Sequence, residues 1–364
     1  MNRRMARILF AGGGTAGHIE PAWAVSQVWH SRFPGDEIAF LGTQSGQEVE
    51  LIPERGGTLF LIPKVTAPRK LNIAALTFPF DLVIAIFKAI SIVKRFDLVV
   101  GFGGYVAAPA YLAALLLRKP IIIHDQNAKI GLANKLGARF ARKILLAYPN
   151  HELQALNTRS KDLKKVELIG NPLKPEIIKT VKEAESEWKT ARARAKESLN
   201  VSGPLVLVLG GSSGSMAINQ VVTNTKFEGC TVIHSVGRGN QFPASTTNYR
   251  PIEYIEDMAT VLLASDLVIS RSGAIATNEF AALGKYALFI PLPIGNGEQA
   301  FNAAELVKAN KAEILSQSEF TSKWLTENLA QLLSKGGDAP YGAKLNSAEL
   351  IADAISEVLK GVKR

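Results

Sequence analysis

Arg7-Ile8-Leu9-Phe10-Ala11 runs straight into Gly12-Gly13-Gly14-Thr15-Ala16-Gly17-His18, and a helical pattern of Ala22, Val25, Val28 and Trp29 follows. A short apolar run, closed by a glycine turn and continued by a helix, predicts a strand buried on both faces of a parallel sheet. The same order returns in the second half: Leu205-Val206-Leu207-Val208-Leu209, then Gly210-Gly211-Ser212-Ser213-Gly214-Ser215, then Met216, Ile218, Val221 and Val222. Further apolar runs predict strands over Ile38–Leu41, Leu98–Phe102, Ile121–His124 and Ile144–Ala147, and over Thr231–Ser235, Leu267–Ser270 and Ala287–Ile290. The fold class implied is α/β, with two doubly wound parallel-sheet domains facing a cleft and ligands expected at the strand C-termini.

The stretch Leu168-Ile169-Gly170-Asn171-Pro172-Leu173-Lys174-Pro175 breaks any regular element. Domains are therefore predicted at 1–168 and 169–345. Glu176 to Leu199 reads as one charged helix exposed on most faces. Residues 346–364 read as an amphipathic helix (Ile351, Ala354, Ile355, Val358, Leu359) that packs on either domain.

A chain of 364 residues, 47% hydrophobic and 20% charged, is long enough for two full cores, and that composition excludes disordered and collagen-like classes. Cys230, the single cysteine, forms no intrachain disulfide and suits a reducing compartment; its setting, Cys230-Thr231-Val232-Ile233, predicts a buried strand thiol. The N-terminus is basic, but only Ile8 to Ala11 follow before the glycines, so no signal peptide and a cytoplasmic location are expected. The most apolar stretch, Leu71 to Val93, is interrupted by Pro79, Asp81 and Lys88, which argues against a membrane span. Charge is unevenly placed: residues 1–167 carry 22 Lys+Arg against 12 Asp+Glu, and residues 168–364 carry 20 against 20. A basic first half suggests an anionic membrane surface or a phosphorylated substrate. Nucleic acid is not expected, because no zinc-ligand spacing, recognition helix or aromatic RNA-binding motif occurs. No D-x-D sequence or metal-ligand spacing is present, so neither a metal nor another cofactor is expected.

Gly12, Gly14 and Gly17 fit G-x-G-x-x-G, a pattern that lets backbone amides approach a phosphate at a helix N-terminus. A dinucleotide site also needs an acidic residue where the second strand ends, and that strand ends Phe40-Leu41-Gly42-Thr43, so a nicotinamide cofactor is not expected. His18 at the rim of the loop reads either as a hydrogen-bonded helix histidine or as a general base or diphosphate contact. Gly103-Gly104-Tyr105 follows Leu98-Val99-Val100 and reads as a plain turn or a second close approach to ligand. His124-Asp125-Gln126-Asn127 ends the next strand on the same edge. In the second half, Gly273 and the amides after it stand at a helix start suited to a phosphate, with Glu279 further along for ribose hydroxyls or as a surface glutamate. Gln299 and Asn302, at i and i+3, are placed to present their amides together toward sugar hydroxyls.

In this order, these motifs resemble the MurG family, the UDP-N-acetylglucosamine transferases that make lipid II from lipid I in peptidoglycan synthesis. The resemblance runs from about residue 6 to residue 315. It also takes in Gly170-Asn171-Pro172, Ile255-Glu256-Asp257-Met258 and Arg271-Ser272-Gly273-Ala274. It implies a GT-B fold, an inverting transfer and a donor held mainly by the C-terminal domain. By resemblance Ile255 meets uracil through its backbone and Glu279 holds the ribose. Ser212 and the amides of Ala274, Ile275, Ala276 and Thr277 hold the diphosphate, Arg271 and Asn302 complete the donor site, and Gln299 orients the sugar. Thr15, Ala16, Gly17 and Asn127 face the donor sugar. Gly13, Gly14, Gly103, Gly104 and Tyr105 face the acceptor, an undecaprenyl-diphosphate-linked MurNAc-pentapeptide. His18 is the favoured base. Ala16, Asp125, Lys174 and Glu298 depart from residues usual in the family. Lys174, where arginine is common, leaves a point-charge phosphate contact. The acceptor's membrane anchor matches the basic first half, where Arg69, Lys70, Lys88, Lys94 and Arg95 flank the apolar Leu71–Val93 segment, expected at the cytoplasmic face of the membrane. If that segment is instead a core helix, only Leu76–Phe80 need be exposed. The rivals are a related transferase acting on another lipid and a non-catalytic nucleotide-sugar-binding membrane recruiter.

Overall fold

The computed structural model describes residues 4–65, 73–150, 153, 165–211, 213–293, 297–336 and 343–361. Ser212, Arg69, Lys70 and Leu71 lie outside the described residues. The chain divides into two units, Met1–Pro172 with Asn346–Arg364, and Leu173–Leu345.

The first unit runs β1 (Arg7–Gly12), α1 (Ala16–Arg32), β2 (Glu37–Thr43), α2 (Glu48–Glu54), β3 (Leu59–Ile62), α3 (Ile73–Val93), β4 (Leu98–Gly103), α4 (Ala107–Leu116), β5 (Ile121–Asp125), α5 (Leu132–Gly137), β6 (Lys143–Leu146) and β7 (Val166–Leu168). Its sheet has the order β3-β2-β1-β4-β5-β6-β7, and every pairing is parallel. One face packs Leu9, Leu41, Val99 and Ile123 on α3 and α4. The other packs Ile8, Phe10, Phe40 and Val100 on α1 and the C-terminal helix. Order reverses between β1 and β4, where parallel sheets open a ligand crevice. A register shift at Ala11/Gly12 sets Gly12 against Gly103, so two glycine loops leave the sheet side by side.

In the second unit come α6 (Pro175–Ala184), α7 (Trp188–Ser198), β8 (Leu205–Leu209), α8 (Met216–Thr223), β9 (Thr231–Ser235), β10 (Tyr249–Ile252), α9 (Met258–Ala264), β11 (Leu267–Ser270), α10 (Ala274–Ala282), β12 (Tyr286–Phe289), α11 (Glu298–Lys308), β13 (Ala312–Ile314) and α12 (Ser322–Ser334). The parallel order β10-β9-β8-β11-β12-β13 reverses between β8 and β11. The final helix, α13 (Ser347–Gly361), belongs to the first unit. Its Ile351, Ala352 and Ile355 pack with Ile19, Ala22 and Trp29 in one core.

Three expectations change. The single helix over Glu176 to Leu199 is two helices, α6 and α7, with Ile177, Val181, Ala184, Trp188 and Ala195 buried. The division falls after Pro172 rather than after 168, because Gly170 and Asn171 bond into the first unit: the Gly170 carbonyl accepts from His124 Nε2 (3.0 Å), and Asn171 Nδ2 donates to the Gln126 carbonyl (3.1 Å). On α3, exposure extends past Phe80 to Val83, Ile84 and Phe87, whereas Ala85, Ala89, Ile92 and Val93 are buried. Cys230 is buried, and burial pushes its thiol pKa up.

Candidate active site

In the first unit the loops after β1, β4 and β5 meet around one carbonyl. Phe102 oxygen accepts from His18 Nδ1 at 2.8 Å and from Gln126 Nε2 at 2.9 Å. A carbonyl only accepts, so His18 Nδ1 carries the proton, and in the neutral ring Nε2 holds the lone pair. That is the form of a histidine able to take a proton. Gly103 and Gly104 have φ of +90° and +81°, and a Cβ on Gly104 would stand 2.2 Å from the Gly13 carbonyl oxygen, so only glycine permits this approach of the two loops. Tyr105 stands beside Gly14, and Lys64 Nζ lies 4.8 Å from the Tyr105 ring centre.

The glycine pattern after β1 predicted amides turned toward a phosphate. Two of those amides are occupied from within the chain: Gly14 N donates to Glu48 Oε2 (2.8 Å) and Ala16 N to Gln47 Oε1 (2.8 Å). Glu48, just beyond the end of β2, is buried and turned onto the glycine loop, so it is not the ribose-holding acid of a dinucleotide site. Thr15 and Gly17 are exposed at the loop rim, and His18 is half-buried.

Beyond β5, the half-buried Asn127 sits in a loop organised by Asp125. Oδ1 of Asp125 accepts from Asn127 N (3.0 Å), and Oδ2 accepts from Gly131 N (3.1 Å) and Asn134 Nδ2 (2.9 Å); Asn134 Oδ1 in turn accepts from the Tyr111 hydroxyl (2.7 Å). Burial raises the Asp125 pKa, against those hydrogen bonds, which lower it. Burial also lowers the neighbouring His124 to about 4, opposed by its bond to Gly170. Its bond to that carbonyl puts the proton on Nε2, so His124 is a neutral structural link.

In the second unit the loops after β8 and β11 lie at the order reversal. Gly273, extended at φ −64° and ψ 143°, caps α10. The Thr277 amide already bonds the Gly273 carbonyl (3.0 Å), which corrects the expected phosphate contact at Thr277: the amides that precede the first helical hydrogen bond are those of Gly273, Ala274, Ile275 and Ala276. Arg271 is buried, with its guanidinium bonded to the carbonyls of Ile290 and Pro291, to Ser215 Oγ and to Gln317 Oε1. It therefore ties three loops together instead of presenting itself to a ligand. Asn302 is also buried and donates to the Ser272 carbonyl (3.3 Å), so the expected outward pair with Gln299 does not form. Gln299 Oε1 accepts from Leu292 N (2.9 Å). Glu279 is buried one and a half turns into α10, and Ile255 is buried in the core of this unit. Lys174 caps α6. Among the described residues, no three His, Cys, Asp or Glu side chains gather at metal-binding range.

Residues 8–146 match the glycosyltransferase family 28 N-terminal domain and residues 205–358 its C-terminal domain. The chain is 38% identical to the UDP-N-acetylglucosamine–N-acetylmuramyl-(pentapeptide) pyrophosphoryl-undecaprenol N-acetylglucosamine transferase of Corynebacterium diphtheriae, over 98% of each chain. It is 39% identical to the protein of that name from Streptomyces coelicolor, over 90% of this chain and 89% of that one. Among solved structures, Acinetobacter baumannii MurG superimposes with a TM-score of 0.72 at 28% identity, over 97% of this chain and 99% of that one. The chain belongs to the MurG family.

Membership accounts for the two doubly wound units as those of a GT-B glycosyltransferase. It does not by itself explain Glu48, Gln47, Lys64 and Asn134, which the motif reading passed over. For Glu48 a signal was present: Gly42 inside β2 and Gly46 after it have no positive φ to justify them. Instead, a Cβ at Gly42, Gly46 or Gly13 would stand 2.0–2.6 Å from Glu48 side-chain atoms. No described helix of this MurG-family chain is long and apolar enough to cross a membrane.

Proposed function

We propose that this chain transfers N-acetylglucosamine from UDP-N-acetylglucosamine to the 4-hydroxyl of MurNAc in undecaprenyl-diphosphate-linked MurNAc-pentapeptide, the lipid I to lipid II step, with inversion at C1. The match along nearly the whole chain to relatives named for that reaction carries this reading. His18 Nε2 takes the proton from the attacking hydroxyl as the C4 oxygen bonds to C1 and the bond from C1 to the UDP oxygen breaks. Its support is the Nδ1 hydrogen bond to Phe102, which fixes the tautomer that leaves Nε2 basic. The departing diphosphate is stabilised by the Ala274–Ala276 amides at the start of α10, where the helix dipole favours negative charge, and by Lys174. Glu279 holds the ribose, the Ile255 backbone the uracil and Gln299 the sugar. Gly13 and Tyr105 face the acceptor and Asn127 the donor sugar, with Arg271 and Asn302 holding the donor loops in place.

The first unit, with α13, is the acceptor and membrane side; the second is the donor side. The exposed face of α3 (Phe80, Val83, Ile84, Phe87), with Lys88 and Lys94 nearby, holds the chain peripherally on an anionic cytoplasmic membrane surface. Calorimetry with UDP-N-acetylglucosamine, UDP-N-acetylgalactosamine, UDP-glucose and NAD, followed by transfer of labelled sugar to lipid I and to diacylglycerol, tests the reading. Selective binding of the first nucleotide and labelling of lipid I alone are expected. Preference for NAD, or labelling of diacylglycerol alone, overturns it.

A further inference from the structure

A buried carboxylate needs either a cation or several hydrogen-bond donors. Glu48, 1% exposed, has donors only: Thr43 N at 2.7 Å and Thr43 Oγ1 at 3.2 Å on Oε1, and Gly14 N at 2.8 Å on Oε2. It opens α2, where the helix dipole favours its charge. Three glycines, one inside β2 and two from the loops after β1 and β2, leave it room. A Cβ would meet its side chain at 2.0 Å from Gly46, 2.3 Å from Gly42 and 2.6 Å from Gly13. Its neighbour Gln47 accepts from Ala16 N, the first amide of α1, whose own cap residue Thr15 makes no side-chain cap bond. The loop after β2 thereby caps α1 from outside, and His18 lies two residues beyond the capped amide.

We propose that Glu48 is a positioning residue for the transfer: it is the resident anion of the first glycine loop, and with Gln47 it fixes the start of α1 so that His18 keeps its Nδ1 bond to Phe102. The Gly14 amide therefore serves the base and not a substrate phosphate. This inference rests on the transferase reading for its kinetic consequence but not for its geometric one. Both Glu48 oxygens face donors, so a carboxamide of the same size must turn N–H toward N–H on one side.

In Glu48→Gln, kcat for sugar transfer falls 10- to 100-fold while the Kd for UDP-N-acetylglucosamine stays within twofold, since the groups proposed to hold its nucleotide belong to the other unit. Gly46→Ala, which keeps the charge but displaces the carboxylate, gives the same split with a smaller loss. The His18 ring nitrogen shifts by NMR, measured on the full chain, show a fixed Nδ1–H tautomer in the parent and a mixture of tautomers in both variants. If Glu48→Gln does not fold, Gly46→Ala and Gln47→Ala carry the test. Unchanged His18 shifts in the folded variants overturn the proposal, as does a loss of donor affinity parallel to the loss of rate. An inactive parent whose His18 tautomer still responds to Glu48→Gln overturns the transferase reading and leaves the positioning role standing.

Discussion

Replacing Phe80 and Phe87 together by serine removes most of the aromatic surface that α3 offers to a membrane. These side chains are 73% and 68% exposed, an uncommon setting for two phenylalanines a helical repeat apart. A phenylalanine presents about 200 Å², so each leaves roughly 140 Å² of apolar area in water. At about 25 cal/mol per Å², full transfer of both would be worth about 7 kcal/mol. Interfacial helices insert only to the headgroup boundary, so roughly half of that is realised, about 3.5 kcal/mol or some 300-fold in partitioning. Lys88 and Lys94 remain, each worth about 1 kcal/mol on an anionic surface, so residual binding becomes strongly salt-dependent. The assay is co-sedimentation with vesicles of anionic and of neutral lipid. Expected is a drop of at least 100-fold on neutral vesicles, with Kd for UDP-N-acetylglucosamine unchanged. Equal sedimentation of parent and variant would refute α3 as the membrane face, because two inserted phenylalanines cannot be removed without loss of partitioning.

His18→Gln retains a group able to donate to the Phe102 carbonyl but has no base, and kcat falls about 10²- to 10⁴-fold with donor Kd unchanged; near-normal turnover removes His18 as the base. Glu279→Ala weakens UDP-N-acetylglucosamine binding by about 10- to 150-fold, the worth of hydrogen bonds to a charged acceptor, and full affinity by calorimetry refutes the ribose assignment. His124 and His234 are both lowered to about 4 by burial, from an ordinary value of 6.5. The unfolded chain therefore binds protons that the native chain refuses, and stability present above pH 6.5 is lost as pH falls toward 4, roughly 3 kcal/mol for each histidine. His234 makes both its bonds when neutral, to the Tyr249 hydroxyl (2.7 Å) and to Asn219 Oδ1 (3.0 Å), so urea midpoints of His234→Gln should depend less steeply on pH across that window; an unchanged slope sinks the assignment.

The strands visible in the sequence and those missed differ by position in the sheet. β1, β2, β4, β5, β6, β8, β9, β11 and β12 are inner strands with apolar runs, and periodicity finds them. The four it missed, β3, β7, β10 and β13, are the four edges. An edge strand is covered on one side only and is short, so its sequence carries little alternation; β10 even contains Pro251, which an edge tolerates because one side of its backbone needs no partner. The split of the helix near Glu185 was hidden similarly. Arg192 and Lys196 of α7, which read as exposed charges, turn inward to Asp266 (2.7 Å each), so composition concealed the buried side of the second helix.

The loops of the candidate site were legible in the sequence and what packs inside them was not, for one reason. Glycine spacing reports that something must come close to the backbone; it does not report what. At Gly104 the close object is the carbonyl of Gly13, at Gly103 it is the His18 ring and the Asn134 amide, and at Gly13, Gly42 and Gly46 it is the Glu48 side chain. Arg271 and Asn302 repeat the pattern in the second unit, where polar groups that looked poised for a ligand hold carbonyls of neighbouring loops. A ligand site made from loops must first satisfy those loops, because an unpaired buried amide or carbonyl costs about as much as a substrate contact returns. Polar residues in such motifs therefore divide into those that hold the loops and those that meet the substrate, and the partners their polar atoms already hold separate the two. By that criterion Glu48, Asp125, Arg271 and Asn302 hold the loops, while half-buried His18 and exposed Thr15, Gly17 and Tyr105 are available to a substrate.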